Sequence, residues 1–137
     1  MTFLLDTNVC IRYLQGRSDS IVEQMQRTKA PEIVVCSVVK AELFYGAARS
    51  HDPAGTLAKQ RRFLDQFVSL PFDDKAAEAY GEIRATLAKA GTLIGPNDML
   101  IAAIALANNT TLVTYNVREF GRVTNLSLVD WETSDVS

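Results

Sequence analysis

Four carboxylates, Asp6, Glu42, Asp98 and Glu119, each stand beside the end of a predicted strand or just inside an apolar helix. Asp6 closes the apolar run Phe3-Leu4-Leu5 and opens Asp6-Thr7-Asn8, after which Val9, Ile11, Tyr13 and Leu14 read as a helix. Glu42 lies in Ala41-Glu42-Leu43-Phe44-Tyr45-Gly46, in the helix that follows a second buried strand. Asp98 follows Gly95-Pro96-Asn97 at the start of a helix without another charge. Each has an ordinary structural reading: short side chains such as Asp6 or Asn8 cap helices, and a helix dipole favours Asp98 where it is. The local sequence leaves capping and chemistry both open for Asp6.

Taken together the four point to chemistry. In a parallel sheet, Asp6 and the polar end after Tyr115 emerge at the same C-terminal edge, and Glu42 projects from the helix after another strand end. Carboxylates brought within about 4 Å of one another repel by roughly 4 kcal/mol per pair at an effective dielectric of about 20. Such a cluster needs a cation. Oxygen ligands without His or Cys select hard ions such as Mg²⁺ or Mn²⁺, which keep several waters and take up substrate phosphate oxygens. The chemistry indicated is hydrolysis of a phosphate ester.

The elements that must position these residues follow from the pattern. Residues 2–5 form a first strand, Val9 to Gln15 a helix stopped by Gly16, and Ser20 to Thr28 a second helix with Ile21, Val22 and Met25 on one side. Glu32 to Cys36 is a β-branched run of the fully buried type. Ser37 is the expected cap of a helix over Val38 to Arg49, along which Val38, Ala41, Tyr45 and Ala48 recur at helical spacing. A helix over Thr56 to Gln66 has Leu57, Phe63, Leu64 and the adjoining Phe67 as its apolar members, and turns Lys59, Arg61 and Arg62 to water. Val68-Ser69-Leu70 is a short strand stopped by Pro71. Asp73 or Asp74 caps a long helix to Ala90, with Ala76, Ala79, Tyr80, Ile83 and Leu87 inward. Met99 to Asn108 is uniformly apolar, so it is expected to be buried on most sides. Thr111 to Tyr115 reads as the fourth strand, Asn116 to Phe120 as a turn or short helix, and Leu126 to Val129 as the last strand. Strands alternating with helices over short loops define an α/β fold, a mostly parallel five-stranded sheet covered on both faces. One domain over 1–132 with a polar C-terminal tail, 133–137, is expected from the length and composition.

A formal net charge of −2 argues against broad electrostatic coating of nucleic acid, which depends on Lys and Arg neutralising phosphates. The longest apolar run, Met99 to Ala107, is too short to span a bilayer, and the first residues lack a basic start and an apolar core, so a cytoplasmic protein is expected. Cys10 and Cys36 have apolar neighbours and no partner at metal-ligand spacing, which reads as two buried thiols. The only histidine, His51, falls in the polar loop Ser50-His51-Asp52-Pro53, so a histidine base has no good candidate.

The ordered set Leu4-Leu5-Asp6-Thr7-Asn8, Ala41-Glu42-Leu43 with Gly46, Gly95-Pro96-Asn97-Asp98 with Ile101-Ala102-Ala103, and Leu112-Val113-Thr114 followed by Asn116 and Arg118-Glu119-Phe120 covers essentially the whole chain. In that order the pieces resemble the PIN-domain ribonucleases, and within them the VapC toxins of bacterial toxin–antitoxin pairs. The resemblance implies a PIN-like three-layer fold and a metal-dependent endoribonuclease that hydrolyses RNA phosphodiesters. One branch of these toxins cuts initiator tRNA in the anticodon stem-loop, and the segments Gly95 to Asp98 and Asn116 to Phe120 are similar to that branch. Position by position, Asp6, Glu42 and Asp98 match the family's acidic residues and Glu119 fills the fourth acidic place. The implied metal ligands are Asp6, Asp98 and Glu119, for Mg²⁺ with Mn²⁺ as a substitute, and Glu42 completes the catalytic set. Thr7, Asn8, Thr114 and Asn116 are implied as support by hydrogen bonding, with Asn8 the favoured local cap once Asp6 is given to the metal. Arg84 and Arg118 are the implied substrate-binding residues. A VapB-type antitoxin whose C-terminal segment covers the active-site groove, an RNA substrate and a homodimer are implied as partners.

Two other classes fit part of the same residues. An Asp-dependent phosphatase would want a second Asp where Asn8 stands, and a receiver would want an acidic pair near the start and a Lys after the last strand, both missing. A catalytically silent PIN-fold interaction protein is the non-enzymatic alternative, and four intact carboxylates count against it.

Overall fold

The computed structural model describes residues 1–132; the tail expected over 133–137 lies outside the described residues. The strands are β1 (Phe3–Leu5), β2 (Ile33–Cys36), β3 (Val68–Leu70), β4 (Thr111–Val113) and β5 (Ser127–Val129). The helices are α1 (Thr7–Gln15), α2 (Asp19–Arg27), α3 (Ser37–Ala48), α4 (Pro53–Leu64), α5 (Asp74–Ala90), α6 (Pro96–Ala107) and α7 (Val117–Phe120). All strand pairs are parallel, in the order β3-β2-β1-β4-β5, with Leu4 opposite Val34 on one side and Leu112 on the other. The central strands of such a sheet are covered on both faces and must be apolar on both. Leu4, Leu5, Leu112, Val113 and the whole of β2 are accordingly buried.

This order fixes where a site can lie. The chain moves outward from β1 through β2 to β3, then returns to the other side of β1 for β4 and β5. β1 and β4 are therefore neighbours whose onward connections leave in opposite directions, the topological switch point at which open α/β sheets leave a crevice beyond their C-terminal strand ends. Asp6 follows β1 and Thr114 follows β4, at that crevice.

The helices bury what their apolar spacing demands, with one phase error in the expectation. α6 buries Met99 and the whole run Ile101 to Ala105, and α5 buries Ala76, Ile83 and Leu87 beneath the cap that Asp73 gives to the Ala76 N–H at 3.0 Å. In α3 the stripe Val38, Ala41, Tyr45, Ala48 is not the inward one. Val39, Leu43 and Ala47 face the core, Ala41 and Ala48 are exposed, and Tyr45 is 66% exposed beneath the Arg49 guanidinium. Because α3 is apolar on nearly every face, its spacing supports two stripes, and the position of β2 decides between them. Ser37 does not cap α3 either; it is already helical, and the cap position is Cys36, which makes no side-chain cap bond. α4 starts at Pro53 and not at Thr56, because Asp52 accepts from the Gly55 N–H at 3.2 Å and proline suits a first helical turn. β4 stops at Val113 and not at Tyr115: the Asn116 N–H donates to the Thr114 hydroxyl at 3.0 Å and turns the chain into α7. No helix among the described residues is long and apolar enough to cross a membrane.

Candidate active site

Asp6 is the best-fixed carboxylate at the crevice. It is only 3% exposed, its Oδ1 accepts the Thr7 N–H at 2.8 Å, and its Oδ2 accepts the Thr114 hydroxyl at 2.8 Å across the β1–β4 gap. The backbone of the same residue closes that gap, with the Asp6 N–H donating to the Val113 carbonyl at 3.0 Å. Asp6 is thus the N-cap of α1 as well as a site residue, and the expectation that Asn8 would take over capping is corrected. Asn8 lies half-buried in the first turn of α1 and takes no part in the cap. The reason is geometric: the last residue before a helix has the extended backbone that lets its own side chain reach back to the first N–H groups.

Glu42 is tied to α1 and α6 at once. The Thr7 hydroxyl donates to its Oε1 at 2.5 Å and the Asn97 amide donates to its Oε2 at 3.3 Å. Asp98 sits in the first turn of α6, after Gly95 and Pro96, where the helix dipole favours a negative charge. Asn97 was not singled out by its sequence as a site residue, although its place beside Asp98 in Gly95-Pro96-Asn97-Asp98 was the available signal.

Among the described residues no ion pair compensates the charges of these groups. Burial pushes the Asp6 carboxyl above the ordinary carboxylate range, the bonds from Thr114 and Thr7 draw it back, and the Glu42 charge raises it again. Asp98 is pushed up to about 6, first by burial and then by the charges of Asp6, Glu42 and Glu119. Asp98 therefore feels all three other carboxylates. The two ion pairs among the described residues, Arg12–Glu132 and Arg27–Glu23, involve none of the four.

That donor set suits a hard cation, all oxygen and net negative. It is an open arrangement rather than a closed cage, since among the described residues no three His, Cys, Asp or Glu side chains surround one point as a ready metal site. Mg²⁺ asks for no such cage, because it takes one or two carboxylates and keeps several waters for exchange with phosphate oxygens.

The remaining expected residues divide. Thr7 and Thr114 bond directly to the carboxylates. Asn116 contributes through its backbone N–H to Thr114 and not through its side chain. Arg118 is exposed on α7 beside Glu119. Arg84 donates to the Tyr80 hydroxyl at 2.9 Å one turn back on α5, so its bond is within its own helix and not to the acidic edge. Cys10 and Cys36 are both buried and free; burial raises both thiols, Cys36 to about 11, so they stay protonated and unreactive.

Thr114 gives a direct handle on the site. Removing its hydroxyl in Thr114→Val takes away the bond that lowers the Asp6 pKa, so Asp6 ionises only at higher pH. The expected result is a pH–activity profile displaced toward alkaline pH, with activity about 10- to 100-fold lower at pH 6 and partly recovered at pH 8. A uniform loss at every pH would mean that Thr114 acts on packing alone.

Comparison with known proteins places the chain. The PIN domain family model matches residues 3–126, and the chain belongs to the PIN domain family. Ribonuclease VapC2 of Rickettsia felis is 38% identical over 133 residues, covering 96% of this chain and 99% of its own length. The tRNA(fMet)-specific endonuclease VapC of Salmonella typhimurium is 36% identical over 131 residues, covering 96% and 98%. The fold matches the crystal structure of DNA-bound VapBC from Salmonella typhimurium with a TM-score of 0.90 at 36% identity, over 96% of this chain and 98% of that one. Within the PIN family the chain groups with the VapC ribonucleases.

Proposed function

We propose that this protein is the toxin of a toxin–antitoxin pair, an endoribonuclease that hydrolyses RNA phosphodiesters at the crevice beyond β1 and β4. The observation that carries the proposal is the gathering of carboxylates there, where burial first and then the charges of Asp6, Glu42 and Glu119 push Asp98 up to about 6. The ion is assigned as Mg²⁺, with Mn²⁺ as a substitute, and Asp6, Asp98 and Glu119 as the residues that would hold it. When bound, a divalent ion lowers the pKa of water and polarises phosphate oxygens, chemistry that needs no histidine.

The chain's own groups do the positioning. Thr7 and Thr114 each engage Asp6 with one bond to one oxygen, which fixes the carboxylate plane and leaves the remaining lone pairs for a ligand. Glu42, held by Thr7 and Asn97, is the carboxylate that orients the attacking water. Arg118 and Arg84 are assigned to the RNA backbone.

The target is proposed to be initiator tRNA, because relatives of this length and identity are named tRNA(fMet)-specific endonucleases. The partner is proposed to be a VapB-type antitoxin, because the matching solved structures are VapBC complexes. Its C-terminal segment would cover the acidic crevice, and the toxin itself would form a homodimer. Incubating the purified chain, freed of any partner, with total tRNA and Mg²⁺ and sequencing the 5′ ends of the fragments tests the target. A dominant new end in the anticodon stem-loop of initiator tRNA is expected. Ends scattered over many RNAs would remove the tRNA assignment, and no new ends at all would favour the silent interaction protein.

A further inference from the structure

Tyr115 lies at the rim of the acidic crevice and has no part in holding the carboxylates. It follows Thr114, whose hydroxyl holds Asp6, and precedes the turn into α7, which carries Glu119. Its side chain is 38% exposed, and Val117, two residues on, is exposed as well. The ring is nevertheless held: the Arg12 guanidinium lies over one face, 5.1 Å from its centroid, leaving the other face for a base, and Arg12 Nη1 is 3.1 Å from Glu132 Oε1.

A guanidinium already matched by a carboxylate has little charge left to offer a phosphate. What it supplies is orientation, since cation–π contact favours one placement of the ring. The acidic edge repels RNA phosphates wherever no cation or arginine meets them, so contacts that do not depend on charge add affinity there. Stacking of a nucleobase on an aromatic face is such a contact, and it is how proteins commonly grip unpaired nucleotides.

We propose that Tyr115 is a stacking platform for an unpaired nucleobase of the RNA beside the cleaved phosphodiester, with Arg12 and Glu132 as positioning residues that set the ring. The assignment rests on the ribonuclease reading for its substrate class. It adds an exposed aromatic contact that the acidic residues do not provide.

The test uses Tyr115→Leu, which keeps apolar bulk and removes the π-face, beside Tyr115→Phe, which keeps it. With an RNA substrate cut at an unpaired site, Tyr115→Leu is expected to raise KM about 5- to 50-fold and leave kcat within about two-fold, while Tyr115→Phe stays near wild type. Tyr115→Trp adds a direct readout. The one native tryptophan, Trp131, is buried against Phe3, so quenching of the new fluorophore by an added single-stranded oligoribonucleotide reports stacking at position 115. An unchanged KM in Tyr115→Leu, or an unquenched Tyr115→Trp at oligonucleotide concentrations that bind the protein by anisotropy, overturns the platform. If the wild-type chain cleaves no RNA, the ribonuclease reading fails, and the fluorescence titration still decides the stacking.

Discussion

Asp6→Asn lowers the rate of metal-dependent RNA cleavage by about 10³-fold or more and leaves the protein at least as stable as wild type at pH 7. The first half follows from the proposed role of Asp6 as one negative ligand of the site: a loss of about 4 kcal/mol of transition-state stabilisation is about a thousandfold in rate. The second half follows from the carboxyl's own position. Burial raises its pKa in the folded state, so its stabilising contribution is complete below the unfolded value and is lost as pH rises through the folded one. Wherever the folded Asp6 carboxyl is ionised, its buried charge weakens the fold, and an uncharged amide of the same shape removes that cost. A residue that merely capped α1 would lose neither rate nor stability in Asp6→Asn, because asparagine caps a helix as well as aspartate does. Single-turnover kinetics and thermal unfolding of the same two preparations separate the alternatives.

Mg²⁺ is expected to raise the melting temperature, and to raise it more at pH 7.5 than at pH 5. Asp98 reaches about 6 in the folded chain against 3.8 for the free side chain, so without a divalent ion its contribution to stability is complete below about 4 and lost as pH rises through about 6. A cation that needs the ionised carboxylates binds best where that loss is complete. At a free concentration of about 100 times Kd, binding to the folded state alone contributes about 2.7 kcal/mol. For a domain of this size that is about 8–10 °C. Asp98→Asn should abolish most of the Mg²⁺-induced rise and flatten its pH dependence. A rise of equal size at both pH values, or one retained in Asp98→Asn, would place the ion elsewhere.

Much of this arrangement was legible in the residues, and the misses have local causes. The strand-helix alternation and the buried runs Leu4-Leu5 and Val34-Val35-Cys36 led to the parallel sheet, because strands covered on both faces leave a continuous apolar signature. Asp6, Glu42 and Asp98 stand out as candidates because a carboxylate beside such runs is out of character. α3 was phased wrongly because a helix apolar all round carries no unique moment, and only its contact with the sheet selects Val39, Leu43 and Ala47 over Ala41, Tyr45 and Ala48. Capping by Asp6 does not compete with a place at the crevice, since one oxygen accepts the Thr7 N–H and the other the Thr114 hydroxyl, a bond between distant segments that no local run shows. The Asn97–Glu42 bond and the Arg12–Tyr115 contact join distant segments, α3 with α6 and α1 with the end of β4, which no local run shows.

A divalent cation is proposed to do the work of the oxygen-only crevice. Cleavage of RNA by the isolated wild-type chain, followed as excess EDTA is added and Mg²⁺ is then restored, tests it most directly. Activity that disappears in EDTA and returns with Mg²⁺ is the expected result; undiminished cleavage in excess EDTA would contradict it.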